Sequence, residues 1–141
     1  MLVRELMNPH PVTITPDADL AQALQAMSAG RTRHLVVMDG DDVVGILSDR
    51  DLALYYDPEH MTEERWQRGR VSKVMSPRPL TLGSATDAEQ AARFLLNDGV
   101  SALPVVDNGT LVGIISERDY VRYFSRGMVP LDPPANMETQ G

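Results

Sequence analysis

GILSDRD, Gly45 to Asp51, returns sixty-eight residues later as GIISERD, Gly113 to Asp119. Sliding the chain by that interval aligns Val3–Tyr56 with Val71–Phe124 without a gap and with 18 identities in 54 positions. Segments of average composition would share about 3, at roughly one chance match in eighteen. One supersecondary unit is therefore written twice. A unit this short is marginal alone, so the copies are expected to pack on one another, and function is sought where they meet.

Working outward from the repeated stretch, Val43 to Leu47 reads as a strand, and Ser48 opens a helix to about Tyr56. Before that strand, Asp39 and Gly40 signal a hairpin turn from LVVM, an apolar run ending at Met38 that suits a buried strand. Further upstream Leu20, Ala23, Leu24 and Met27 follow helical spacing behind a capping Asp19, with Gly30 as the stop. Pro9 and Pro11 forbid a helix ahead of a short strand at Val12 to Ile14. Copy two repeats the plan: strand Leu80 to Leu82, helix from Asp87 to about Asp98, Gly99 as stop, strand ALPVV, turn Asn108–Gly109, and a helix from Ser116 to about Phe124.

Each copy reads strand, helix, strand, strand, helix. The expected fold is α+β, two β-α-β-β-α repeats packed sheet to sheet about a pseudo-twofold axis, which leaves two symmetry-related clefts. The expected segments are repeat 1 at 1–56, a partly helical linker at 57–70, repeat 2 at 71–124, and a flexible polar tail at 125–141. Trp66, the single tryptophan, either covers apolar surface or makes a subunit contact.

Composition excludes several classes. There are no cysteines, so no disulfide framework and no thiolate metal site. The net charge of −7 argues against a phosphate-backbone binder and against anionic membrane surfaces. No signal-like start and no long apolar run is present, so a cytoplasmic protein is expected. His10, His34 and His60 lie in separate elements, which predicts no metal. No nucleophile elbow, Walker loop or paired carboxylate appears, which predicts no enzyme and no catalytic cofactor.

Chemistry concentrates at the repeated junction. Ser48 and Asp51, and again Ser116 and Asp119, form an S-x-x-D capping box, and this alone could explain both residue types. A second reading is a nucleoside site. Gly45 and Gly113 stand inside strands, where glycine marks a bulge or a close approach to the backbone. Free amides and a hydroxyl at a helix start suit phosphate or ribose, and an aspartate there can accept from two vicinal ribose hydroxyls.

The doubled unit, with M-x-P-x-P at Met7–Pro11 and Met75–Pro79, HLVV or ALPVV in the middle strand and G-I-x-S-x-R-D at the last junction, resembles a tandem pair of CBS domains. These are named after cystathionine beta-synthase; the pair is called a Bateman module, here of the stand-alone bacterial type. The resemblance spans residues 3–124. It implies a non-catalytic regulatory ligand sensor that binds AMP, ADP or ATP, or S-adenosylmethionine, between the repeats and signals through a homodimer or to an effector protein. It further implies that Asp51 and Asp119 hold ribose with Ser48 and Ser116 beside it. Thr13 and Ile14, with Thr81 and Leu82, would offer backbone edges to adenine, and Leu35 and Leu103 would flank the base. The residue two before each leucine often contacts phosphate in the family. It is Arg33 in copy one, followed by His34, and Ser101 in copy two, followed by Ala102. The Asp51 site is therefore expected to prefer phosphorylated nucleotides, unless Arg31 and Arg33 simply pair with Asp41 or Asp42. Arg50 and Arg118 could also reach phosphate. Copy one has Val36 where copy two has the family-typical Pro104, which alters the strand edge. The competing reading is a dimerisation scaffold with empty clefts.

Overall fold

The computed structural model describes residues 1–127, so most of the expected tail lies outside the described residues. Copy one contributes β1 (Thr13–Ile14), α1 (Leu20–Gly30), β2 (His34–Asp39), β3 (Asp42–Ser48) and α2 (Asp49–Tyr55). Next come α3 (Glu63–Arg68), α4 (Val71–Val74) and the two-residue β4 (Ser76–Pro77). Copy two supplies α5 (Ala88–Asn97), β5 (Ala102–Asp107), β6 (Thr110–Ser116) and α6 (Glu117–Ser125).

Local chemistry accounts for most of these elements. Asp19 accepts from the Gln22 amide at 2.8 Å while Gln22 Oε1 accepts from the Asp19 amide at 2.9 Å, a reciprocal cap that starts α1. Leu20, Ala23 and Met27 then turn one face inward. Full burial of a side chain such as Leu20 contributes about 1.5–3 kcal/mol. The helix ends at Gly30 as expected, but glycine does not supply the left-handed cap. The left-handed residue is Arg31, at φ 50° and ψ 44°. In copy two the aligned position is Gly99, at φ 66°.

The hairpins differ as well. Asn108 and Gly109 both have positive φ, 51° and 79°, the mirror-image turn that matches strand twist. In copy one the two loop residues are Gly40 and Asp41 rather than Asp39 and Gly40, and only Gly40, at φ 60°, is left-handed. Asp39 instead pairs with Asp42 as the last rung of the hairpin. The expected strand Leu80 to Leu82 contracts to a single parallel bridge between Leu82 and Val105.

Four strands in the order β1-β2-β3-β4 form one sheet, and β5-β6 form the second. They pack face to face through Val36, Ile46, Ala102 and Ile114, all buried. This is the expected α+β architecture of two repeats packed sheet to sheet.

The chain exchanges its leading arms between repeats, which local sequence did not reveal. Val3, although part of copy one, is fully buried in the core of copy two, where its amide donates to Thr86 O at 2.8 Å. Val71 is likewise fully buried in the core of copy one, its amide donating to Ala18 O at 3.0 Å. Asn8 bridges Ile114, and β4 pairs with Gly45–Ile46 of β3.

The exchange explains both strand glycines without a ligand. A Cβ on Gly113 would lie 2.5 Å from Met7 Sδ and 2.9 Å from Asn8 O, and Met75 covers Gly45 in the same way. Both glycines also adjoin a bulge, where the register slips at Val37/Met38 and at Val105/Val106. The close approach expected at these positions is the other repeat's arm.

Trp66 is half-buried against the core of copy one, its ring centroid 5.5 Å from that of Tyr55. It covers apolar surface of that core.

Candidate functional site

A cleft of about 1200 Å³ runs between the repeats, and both GIxSxRD junctions open into it. The two clefts expected from pseudosymmetry are continuous. Its walls include Arg33, His34, Ser48, Arg50 and Asp51 from copy one and Ala102, Ser116, Arg118 and Asp119 from copy two. Strand register brings each group together: His34 pairs with Ser48 across β2 and β3, and Ala102 pairs with Ser116 across β5 and β6. The Asp49 amide donates to Arg33 O at 2.9 Å, which ties the basic loop to the start of α2.

Other residues named from the sequence lie elsewhere. Leu35 and Leu103 are fully buried in the two repeat cores, Leu82 is in the second core, and Pro104 is buried in β5. Thr13 and Ile14 are paired with Val36 and Val37, and Thr81 is exposed; none of the three lines the cleft.

The carboxylates are shared between cap and cleft. Asp51 Oδ2 accepts from the Ser48 amide at 2.8 Å and from Ser48 Oγ at 3.0 Å, while Ser48 Oγ accepts from the Asp51 amide at 3.2 Å. In copy two Asp119 Oδ2 accepts from the Ser116 amide at 2.8 Å, but Ser116 Oγ stands off at 3.5 Å. These bonds consume Oδ2 and orient the side chain. Among the described residues, Asp51 Oδ1 has no hydrogen-bond partner, and Asp119 Oδ1 has only Arg122 Nη1, at 3.8 Å. One oxygen of each carboxylate remains available to a ligand hydroxyl.

Asp119 is 7% exposed, and burial pushes its pKa up despite the Ser116 bond and the Arg122 and Arg118 charges. A raised folded-state pKa favours the fold below the unfolded value near 3.8 and withdraws that stability as pH climbs through the folded value. Unfolding free energy measured against pH should therefore fall more across that window in the wild type than in Asp119→Asn. Parallel pH profiles would show that the burial carries no such cost.

His34 is half-buried, and desolvation lowers its pKa although Asp49 and Asp51 pull the other way and Arg33 adds to the fall. The burial favours the neutral ring. Arg33 pairs with neither Asp41 nor Asp42; its Nε is 4.0 Å from Asp49 Oδ2, with both side chains largely exposed. Such a pair is weak and leaves the guanidinium free to turn to an anion.

Sequence reasoning missed several lining residues. Arg78, Arg122, Leu96 and Val121 all face the cleft. Arg78 is left-handed at φ 48° between two prolines, a conformation no local pattern signals. In total six of the chain's 13 basic residues line a cleft that holds only four acids, although the protein carries a net −7. The excess charge is local and cationic. Among the described residues no group of three or more acids and histidines gathers as a metal site, and no helix is long and apolar enough to cross a membrane.

A family model described as CBS domain matches residues 3–57 and again 71–126. The chain belongs to the CBS domain family. A CBS domain-containing protein of Dictyostelium discoideum is 30% identical over 141 residues, covering 94% of this chain and 97% of the relative. A choline transport ATP-binding protein of Bacillus subtilis is 32% identical over 84% of this chain, but the match spans only 29% of that longer protein. Among solved structures, CBSX2 in complex with AMP superposes with a TM-score of 0.75 at 28% identity, covering 89% of this chain and 97% of the other. The CBS pair thus occurs both as nearly an entire protein and as a part of larger ones.

Proposed function

We propose that this CBS pair is a non-catalytic sensor of adenine nucleotides, which binds AMP, ADP or ATP in the cleft between its repeats. The observation that carries this reading is the pair of aspartates on the cleft wall, each held by its own serine through Oδ2 with Oδ1 available. Vicinal ribose hydroxyls are donors of the right chemistry for such an oxygen, and a charged acceptor strengthens those bonds to about 1.5–3 kcal/mol each. The surplus of arginine lining the same cleft suits the phosphates. AMP in the related CBSX2 structure supports the ligand class.

Binding would tie the two repeats together across the sheet interface and shift the population of geometries that a homodimer or an effector protein reads. The test is a melting-temperature panel on protein freed of co-purified ligand, with AMP, ADP, ATP, NAD, S-adenosylmethionine and GTP. A ligand at 100 times its Kd adds about 2.7 kcal/mol. That corresponds to a rise of roughly 10 °C for a domain of this size. No rise with any adenine compound would leave the scaffold reading standing instead.

A further inference from the structure

Of the chain's three histidines, one lines the cleft. His10 is exposed and lies away from it, and His60 Nδ1 is held by Asp57 Oδ2 at 2.8 Å. His34 stands half-buried on the wall at the first residue of β2. Its backbone is fixed by the rung to Ser48 and by the Thr32 hydroxyl, which accepts from the His34 amide at 3.2 Å and donates to His34 O at 3.1 Å. Its ring is not fixed: among the described residues neither ring nitrogen has a hydrogen-bond partner. A half-buried imidazole that faces a cleft with both nitrogens unclaimed can take up a proton when an anion arrives.

The charges around it decide when that happens. Burial is the largest influence and opposes the proton, Asp49 and Asp51 on the first turn of α2 favour it, and the adjoining Arg33 opposes it. Copy one adds Arg31 at the end of α1 and Arg50 on α2, and the arm of copy two adds Arg78. From α6 across the cleft come Glu117 and Asp119 against Arg118 and Arg122, which cancel in number. The empty cleft thus sets four arginines against Asp49 and Asp51, and the surplus positive charge keeps the proton off the ring.

We propose that a ligand phosphate seated beside Arg33 draws a proton from solvent onto His34, which then donates to a phosphate oxygen, so that this half of the cleft holds its ligand more tightly as pH falls. This rests on the nucleotide reading of the cleft and adds a regulator to it, the proton. The phosphate neutralises the arginines that opposed the imidazolium and supplies the acceptor that the ring lacks. The loaded ring keeps its proton to higher pH than the empty one. Affinity therefore climbs as pH falls through the loaded value and levels off below the empty one, which lies under the ordinary 6.5. In copy two the aligned residue is Ala102, so the Asp119 half has no such group.

Calorimetry of the full chain, repeated in buffers of different ionisation enthalpy, counts the protons taken up with the ligand. The probe is adenosine 5′-(methyl phosphate), whose single phosphate charge does not titrate near neutral pH. Wild-type protein should take up a measurable fraction of a proton per bound probe and bind it about fivefold or more tightly at pH 6 than at pH 8, since one full proton corresponds to about tenfold per pH unit. His34→Gln should lose both the uptake and the slope. Should that variant fail to fold, the imidazole proton resonances of the wild type give the same reading, with one histidine of three titrating at higher pH once the probe is bound. Binding without proton uptake, or a slope that persists in His34→Gln, would overturn the proton linkage and leave the nucleotide reading intact. No binding of the probe or of any adenine compound by the wild type would overturn both.

Discussion

Gly113→Val lowers the melting temperature of this protein by roughly 10 °C, the equivalent of about 3 kcal/mol for a domain of this length. The first carbon of any side chain at that position enters space held by Met7 Sδ at 2.5 Å and Asn8 O at 2.9 Å. Met7 is flexible and could yield. Asn8 O cannot, because it accepts from the Ile114 amide at 3.0 Å while the Asn8 amide donates to Ile114 O at 2.9 Å. Relief therefore requires the arm to leave β6. When it leaves, Val3 is drawn out of the core of copy two, which it fills with no solvent exposure. The companion variant Met7→Ala, placed with Gly113→Val, should recover only part of the loss, since it vacates the sulfur and not the carbonyl. Thermal unfolding followed by circular dichroism checks this; a Gly113→Val melting within 2 °C or so of wild type would mean that the arm is not held as described.

The second large effect is on binding. Asp51→Ala should reduce affinity for ATP at least about 100-fold at the first half of the cleft, because two hydrogen bonds to a charged acceptor are worth roughly 3 kcal/mol together at the low end. The same substitution removes a helix cap, so its effect must be separated from simple loosening of α2. Ser48→Ala provides the control. It deletes the hydroxyl that both donates to Asp51 Oδ2 and accepts from the Asp51 amide, at a cost of about 1 kcal/mol in stability. If the carboxylate serves the ligand, Ser48→Ala loses stability with modest loss of affinity, and Asp51→Ala loses affinity far out of proportion to its melting temperature. If Asp51 is only a cap, the two variants behave alike, with binding stoichiometry and affinity near wild type in both.

These two expectations draw on different kinds of information. The capping serines and aspartates are legible because their partners lie three residues away, and a short-range bond leaves its trace in spacing. Asp19 with Gln22 is the same case, and so is the Asn108–Gly109 turn, whose φ values follow from residue type. Leu35 and Leu103 show the limit of that kind of reading. Both stand beside cleft residues in sequence, yet strand alternation turns them away into the repeat cores, where each is fully buried. Arg33 shows the other limit: its type suggested a phosphate contact, but only the register of β2 on β3 and the tie from Asp49 bring it to the side of Asp51.

Taken alone, the amino-acid order determined that the chain is one unit made twice, that each unit runs helix, strand, strand, helix, and that a serine and an aspartate begin the last helix of each. These features rest on periodicity and on partners within a few residues. Tertiary structure alone decided that the arms change places, that Gly45 and Gly113 make room for methionines of the opposite arm, and that two expected clefts run together with arginines of both repeats lining them. Those outcomes join residues as far apart as Asn8 and Ile114. No local pattern records them, because each depends on which of several apolar faces buries the most surface once both repeats are present.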